Sequence, residues 1–212
     1  MKKSLIINTH SSIKIENEKV IYFDPYKITK KTKDADIIFI THNHYDHFDL
    51  PSINKIKKDN TLIVMPNTCI RELKEIDKEI NMENYIGVSP GEQYFIKGIN
   101  VETVPSYNLD KDYHKKSNSW VGYVITIDNE KIYVAGDTDY IEELNKVKCD
   151  IALIPIGGTY TMDYKEAAQL VNKIKPKIAI PTHYGSIVGD SSLGNKFKEL
   201  INKDIECQLI IK

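Results

Sequence analysis

The chain has 212 residues, and its 29 lysines and arginines nearly balance 30 aspartates and glutamates, for a net charge of −1. That length holds one domain with a sizeable core, or at most two small ones, and the balanced charge removes the electrostatic case for a nucleic-acid or membrane partner. Arg71 is the only arginine, so planar bidentate clamps on phosphate have almost no raw material.

The opening MKKSLIINTHSS ends its apolar run after Leu5, Ile6 and Ile7, too short for a signal-peptide core, and no later run reaches membrane-spanning length. Cys69, Cys149 and Cys207 are odd in number, far apart and in no CxxC pair, the pattern of a reducing compartment. A soluble cytoplasmic protein is expected, with nothing in the sequence indicating a homo-oligomer.

Short strand-like stretches fill the first half: SLIIN, SIKIE, VIYFD, DIIFIT and LIVMP. The segment 67–80 then reads as a helix, with Ile70, Leu73 and Ile76 at helical spacing and Asn67 or Thr68 as its cap. QYFIKGINVETVP, WVGYVITID and KIYVAGD return to strand patterning, the last two joined by a turn at Asp128-Asn129-Glu130. The final third alternates strand and helix: DIALIPIGG, DYKEAAQLVNKIK capped by Asp163, KIAIPTH, GNKFKELINK and CQLIIK. No repeat or Pro/Gly/Ser linker interrupts this, so one domain over 1–212 is expected, with layered sheets and helices outside them.

Three of the six histidines fall in His42-Asn43-His44-Tyr45-Asp46-His47, directly after an apolar strand. On an extended segment His42 and His44 share one side, while Asp46 and His47 turn away on the next bend. Metal ligands must be carboxylate oxygens or neutral imidazole nitrogens held at about 2 Å, and one such hexamer can feed two neighbouring ions. Asp137 and His183 also end strands, in VAGD and IPTH.

H-x-H-x-D-H, a strand ending in Gly-Asp and a later strand ending in His resemble the metallo-β-lactamase superfamily. THSS, FDPY, GDTD, IPIGGTYTMD and IPTHYG further resemble its metal-dependent hydrolase branch, which is similar to ascorbate-6-phosphate lactonases and N-acyl phosphatidylethanolamine phospholipases. The resemblance spans essentially the whole chain. It implies an α+β fold, a four-layer αββα sandwich, and one or two divalent metals, Zn2+ foremost, with Mn2+, Fe2+ or Ni2+ as alternatives.

Carried over by residue, His42 and His44 match ligands of the first metal, Asp46, His47 and His183 those of the second, and Asp137 the bridging carboxylate. The third imidazole usual at the first metal is missing: Asn108 stands where it is expected, and an amide oxygen suits harder ions than zinc. His114, six residues on, either substitutes for it or is a surface histidine among Lys111, Lys115 and Lys116. His10 is placed beside the metals without ligating, where it either assists chemistry or is structural. Asp24 and Asp49 are candidates to fix imidazole tautomers. Gly157–Tyr160 would wall the pocket, and Tyr107, Tyr160 and Tyr184 would form its rim.

The implied activity is hydrolysis of an ester, lactone or phosphodiester bond in a small molecule by metal-activated hydroxide, with Asp46, Asp137 and His10 as catalytic residues. A ribonuclease-like phosphodiesterase is disfavoured by the balanced charge and single arginine. A non-catalytic metal-binding module is the remaining alternative, favoured by Asn108 and opposed by the otherwise complete ligand set.

Overall fold

The computed structural model describes residues 4–79 and 81–211 and divides into two compact units, Met1–Val88 and Ser89–Lys212. Each unit is built on one mixed sheet.

The first sheet runs in sequence order: β1 (Ser4–Thr9), β2 (Ser12–Glu16), β3 (Val20–Phe23), β4 (Ala35–Phe39), β5 (Lys57–Pro66) and β6 (Tyr85–Val88). β1, β2 and β3 pair antiparallel, whereas β3, β4, β5 and β6 pair parallel. Ile21 faces Ile37, and Phe23 faces Phe39 across the β3–β4 pair. The two phenylalanine rings stack with centroids 4.9 Å apart in the core. Helix α1 (Leu50–Ile56) precedes β5, and α2 (Asn67–Ile76) precedes β6. α2 ends four residues before the expected boundary, with the Asp77 N–H closing on the Leu73 carbonyl; Ile80, the end of that expectation, lies outside the described residues.

This topology decides where the first unit's polar residues gather. β3 and β4 run parallel, so Asp24 and the 40–47 segment leave the sheet at the same edge. β2 runs antiparallel to β3, so the β1–β2 turn carrying His10 lies at that edge too.

The second sheet contains β7 (Gln93–Ile96), β8 (Ile99–Pro105), β9 (Val121–Ile127), β10 (Glu130–Val134), β11 (Ile151–Pro155), β12 (Ile178–Thr182) and β13 (Glu206–Cys207). β7 to β10 pair antiparallel and β10 to β13 parallel. The stretch 93–105 is thus two strands, because Lys97 and Gly98 both take positive φ and reverse the chain. Asp128 and Asn129, also at positive φ, make the two-residue turn between β9 and β10. The final stretch reads as strand only over Glu206–Cys207, and its last residue, Lys212, lies outside the described residues.

Helices α3 (Tyr164–Ile174) and α4 (Leu193–Leu200) follow β11 and β12. The core beneath them includes Ile154, Ile156, Leu170, Val171, Phe197 and Tyr184. Asp163 caps α3 as expected: its Oδ1 accepts from the N–H groups of Lys165 and Glu166, both at 2.8 Å, and the Glu166 side chain accepts from the Asp163 N–H at 2.9 Å. β8, β10, β11 and β12 share a direction, so their C-terminal ends, followed by Asn108, Asp137, Gly157 and His183, emerge at one edge of this sheet.

Candidate metal centre

In the first unit the hexamer leaves β4 extended and then tightens into a turn, with the His47 N–H and Phe48 N–H both closing on the His44 carbonyl, at 3.0 and 2.8 Å. His42 Nε2 lies 3.1 Å from His44 Nδ1, while Asp46 Oδ2 lies 3.6 Å from His47 Nε2. The hexamer thus brings its four donors close together, and His42 and His47 are neighbours as well, their ring centroids 4.0 Å apart. His10 Nε2 lies 3.3 Å from Asp46 Oδ2, and both side chains are buried.

Behind these groups stands Asp24. Its carboxylate accepts from the Thr41 N–H and Oγ1 and from His47 Nδ1, each at 2.8 Å. Burial pushes its carboxyl above the usual range, against the downward pull of His47 and Thr41. Thr41 Oγ1 also contacts His42 Nδ1 at 2.9 Å. Asp49 does something else: it precedes α1 and accepts from Ser52 Oγ at 2.5 Å.

His10 and Asp24 both sit in left-handed backbone, at φ 52° and 44°. A histidine or aspartate pays for that conformation with strain unless the surroundings hold it. In the second unit His183 shares the feature, at φ 57°. Gly157 explains how His183 is seated: a Cβ at residue 157 would lie 2.4 Å from the His183 carbonyl oxygen and 2.3 Å from Val188 Cγ2. Only glycine permits that approach.

Asp137 is the hub of the second unit's group. His183 Nε2 lies 2.9 Å and His114 Nε2 3.3 Å from the same carboxylate oxygen, Oδ2. His114 is 1% exposed, so it is no surface histidine, and its ring meets Trp120 edge-on at 5.6 Å. The loop has folded back. Asn108 is occupied elsewhere: Oδ1 lies 2.9 Å from His114 Nδ1 and accepts from the His114 N–H at 3.1 Å, and Nδ2 donates to Asp139 Oδ1 and the Tyr160 carbonyl.

Tyr107 is also buried, its hydroxyl donating to Glu143 at 3.0 Å. Tyr184 is core rather than rim, 1% exposed with its ring against Gly194. Tyr160 meets the exposed Tyr113 edge-on at 4.6 Å.

The donor chemistry fits a divalent metal in both units. Two ligands each about 2.1 Å from one tetrahedral ion lie about 3.4 Å apart. The separations of 2.9 to 3.6 Å within His42–His44, Asp46–His47, His114–Asp137 and His183–Asp137 match that spacing. Three participants were not readable as such in the sequence. Thr41 and Asp139 have a faint signal, standing next to His42 and two residues from Asp137, while Gly157 stands in a Gly-Gly pair that reads equally as a turn.

The model of the β-lactamase superfamily domain matches residues 5–183, a span that includes every one of these donors. The chain belongs to the metallo-β-lactamase superfamily. A UPF0173 metal-dependent hydrolase of Thermoplasma volcanium is 35% identical over 199 residues, covering 88% of this chain and 85% of its own length. Among solved structures, a candidate metal-dependent hydrolase from Parabacteroides distasonis superposes with a TM-score of 0.83 at 27% identity, covering 99% of this chain and 94% of its own. Igni18, a metallo hydrolase of Ignicoccus hospitalis, shares the fold with a TM-score of 0.76 at 22% identity, over 99% of this chain and 95% of its own.

This metallo-β-lactamase relative is accordingly a metal-dependent hydrolase of α+β class, as its motifs implied. Among the described residues no helix is long and apolar enough to cross a membrane, and Cys69, Cys149 and Cys207 are free thiols.

Proposed function

We propose that the chain acts as one hydrolase domain. In it His42, His44, His114, Asp46, His47, His183 and the bridging Asp137 hold one or two divalent metals, Zn2+ foremost, with Mn2+, Fe2+ or Ni2+ as alternatives. The substrate is a small molecule of the cytoplasm with an ester, lactone or phosphodiester bond, and neither nucleic acid nor membrane takes part. The observation that carries this reading is the pair of buried imidazoles, His114 and His183, aimed at one oxygen of Asp137. His114 thereby takes the role that Asn108 leaves open.

When bound, the metal lowers the pKa of water to near neutrality and polarises the scissile bond. The chain's own residues do the rest. Asp46 would ligate through one carboxylate oxygen and, with the other, orient the attacking water and take up its proton. His10 Nε2, 3.3 Å from Asp46 Oδ2, relays that proton to the leaving group. Asp24 and Thr41 keep the His47 ring fixed throughout, so that no reorganisation is needed as charge develops.

Metal analysis of the purified wild type and of Asp137→Ala and His183→Ala tests the reading, alongside turnover on a panel of esters, lactones and phosphodiesters. Each variant is expected to lose at least one metal equivalent and its activity, whereas His10→Ala keeps its metal and loses turnover. Full metal content and unchanged turnover in both ligand variants would overturn the assignment.

A further inference from the structure

The polar contacts around Asn108 have a direction. Its Nδ2 faces two groups that only accept: Asp139 Oδ1 at 3.1 Å and the Tyr160 carbonyl oxygen at 2.8 Å. Its Oδ1 faces the backbone N–H of His114 at 3.1 Å, which only donates. Three independent neighbours thus fix which end of the amide is oxygen, a point that coordinates alone leave open. The same Oδ1 lies 2.9 Å from His114 Nδ1. An amide oxygen can only accept, so the proton of the neutral ring belongs on Nδ1. The lone pair then falls on Nε2, the atom 3.3 Å from Asp137 Oδ2.

The amide is itself held. Asp139 is buried, and its second oxygen accepts from the Leu109 N–H at 2.9 Å, while Lys111 Nζ pairs with Oδ1 and donates to the Thr161 carbonyl at 2.9 Å. Both ends of the 108–114 loop are tied to this network, one through Asp139 and the other through the His114 backbone.

We propose that Asn108 is a positioning residue that sets His114 as its Nδ1–H tautomer and so offers Nε2 to a metal, with Asp139 and Lys111 holding the amide in register. This rests on the reading of His114 as a ligand. It explains why an asparagine stands beside the metal loop without binding metal: it works one atom further back. A neutral amide in that role raises ligand basicity less than a carboxylate does, while still fixing tautomer and ring direction.

The test uses full-length protein with 15N-labelled histidine, before and after chelator treatment, and zinc as the metal. In the zinc-loaded wild type His114 is expected to keep its proton on Nδ1 and to bind zinc through Nε2. Asn108→Leu, close in shape, should let the ring populate the other tautomer and weaken zinc about 10–100-fold in competition with a chromophoric chelator. Asp139→Asn, which leaves Asn108 in place, should show a smaller change in the same direction and serves if Asn108→Leu does not fold. A zinc-loaded wild type whose His114 carries no proton on Nδ1 would overturn the proposal. So would variants that keep wild-type tautomer and affinity. His114→Ala separates the two ideas: unchanged zinc affinity there overturns the ligand reading itself, whereas a loss there without any in Asn108→Leu overturns only the positioning role.

Discussion

His47 Nδ1 lies 2.8 Å from Asp24 Oδ2, and both side chains are buried. Asp24 holds no metal in the proposed centre, yet it dictates which nitrogen of His47 faces forward. Asp24→Ala should therefore lower metal affinity about 10–100-fold with the ligand set intact. Asp24→Asn keeps an acceptor and tolerates the left-handed backbone at φ 44°, so it should retain more affinity than the alanine variant. Chelator competition on the two variants checks this, and equal affinities would show that His47 is oriented by other contacts.

Gly157→Ala should damage the centre without touching a donor. The added methyl would meet the His183 carbonyl and Val188 Cγ2, so His183 must move. Adding Val188→Ala removes the side-chain clash but leaves the carbonyl in place. The double variant is thus expected to stay impaired in metal content. Recovery in the double variant would place the constraint in the side chain instead.

Acid stability should depend on Lys14. Burial raises the Asp34 carboxyl, but Lys14 at 2.8 Å, with the Thr32 and Tyr22 hydroxyls, brings it below its ordinary 3.8; Glu16 is likewise lowered, chiefly by Lys14. A carboxyl depressed by folding stabilises the fold above its unfolded pKa and loses that contribution as pH falls through the folded value. Lys14→Met removes the shared cation, so its acid unfolding midpoint, followed by circular dichroism, should move to higher pH. An unmoved midpoint would mean that solvent screens the network.

The α3 cap gives a stability prediction away from the donors. Asp163→Ala leaves two N–H groups of the first turn without their acceptor and should cost about 0.5–2 kcal/mol. For a chain of this size that is a fall of roughly 2–4 °C in Tm per kcal/mol. Asp163→Asn, which also caps well, should restore most of it.

Strand ends and short motifs carried most of what could be read in advance. His42, His44, Asp46 and His47 are legible because the hexamer is local and follows an apolar run, and Asp163 because a capping box spans only four residues. For His114 two readings stayed open, because the fold-back of its loop depends on Asp139, some thirty residues on from Asn108. Helix α1 escaped notice because it has seven residues and no side-chain cap. Tyr184 was misplaced at a rim because its burial against Gly194 is set by the packing of α4, which a tyrosine's mixed character does not announce.

The hairpin turn at Asp128-Asn129 has a practical use. β10 leaves that turn at Glu130 and runs the length of its sheet before reaching Asp137. The turn is thus at the blank end of the sheet, opposite the edge that carries the imidazoles. A cysteine handle or a short affinity peptide inserted between residues 128 and 129 would anchor the enzyme to a support with its donor edge facing the solution.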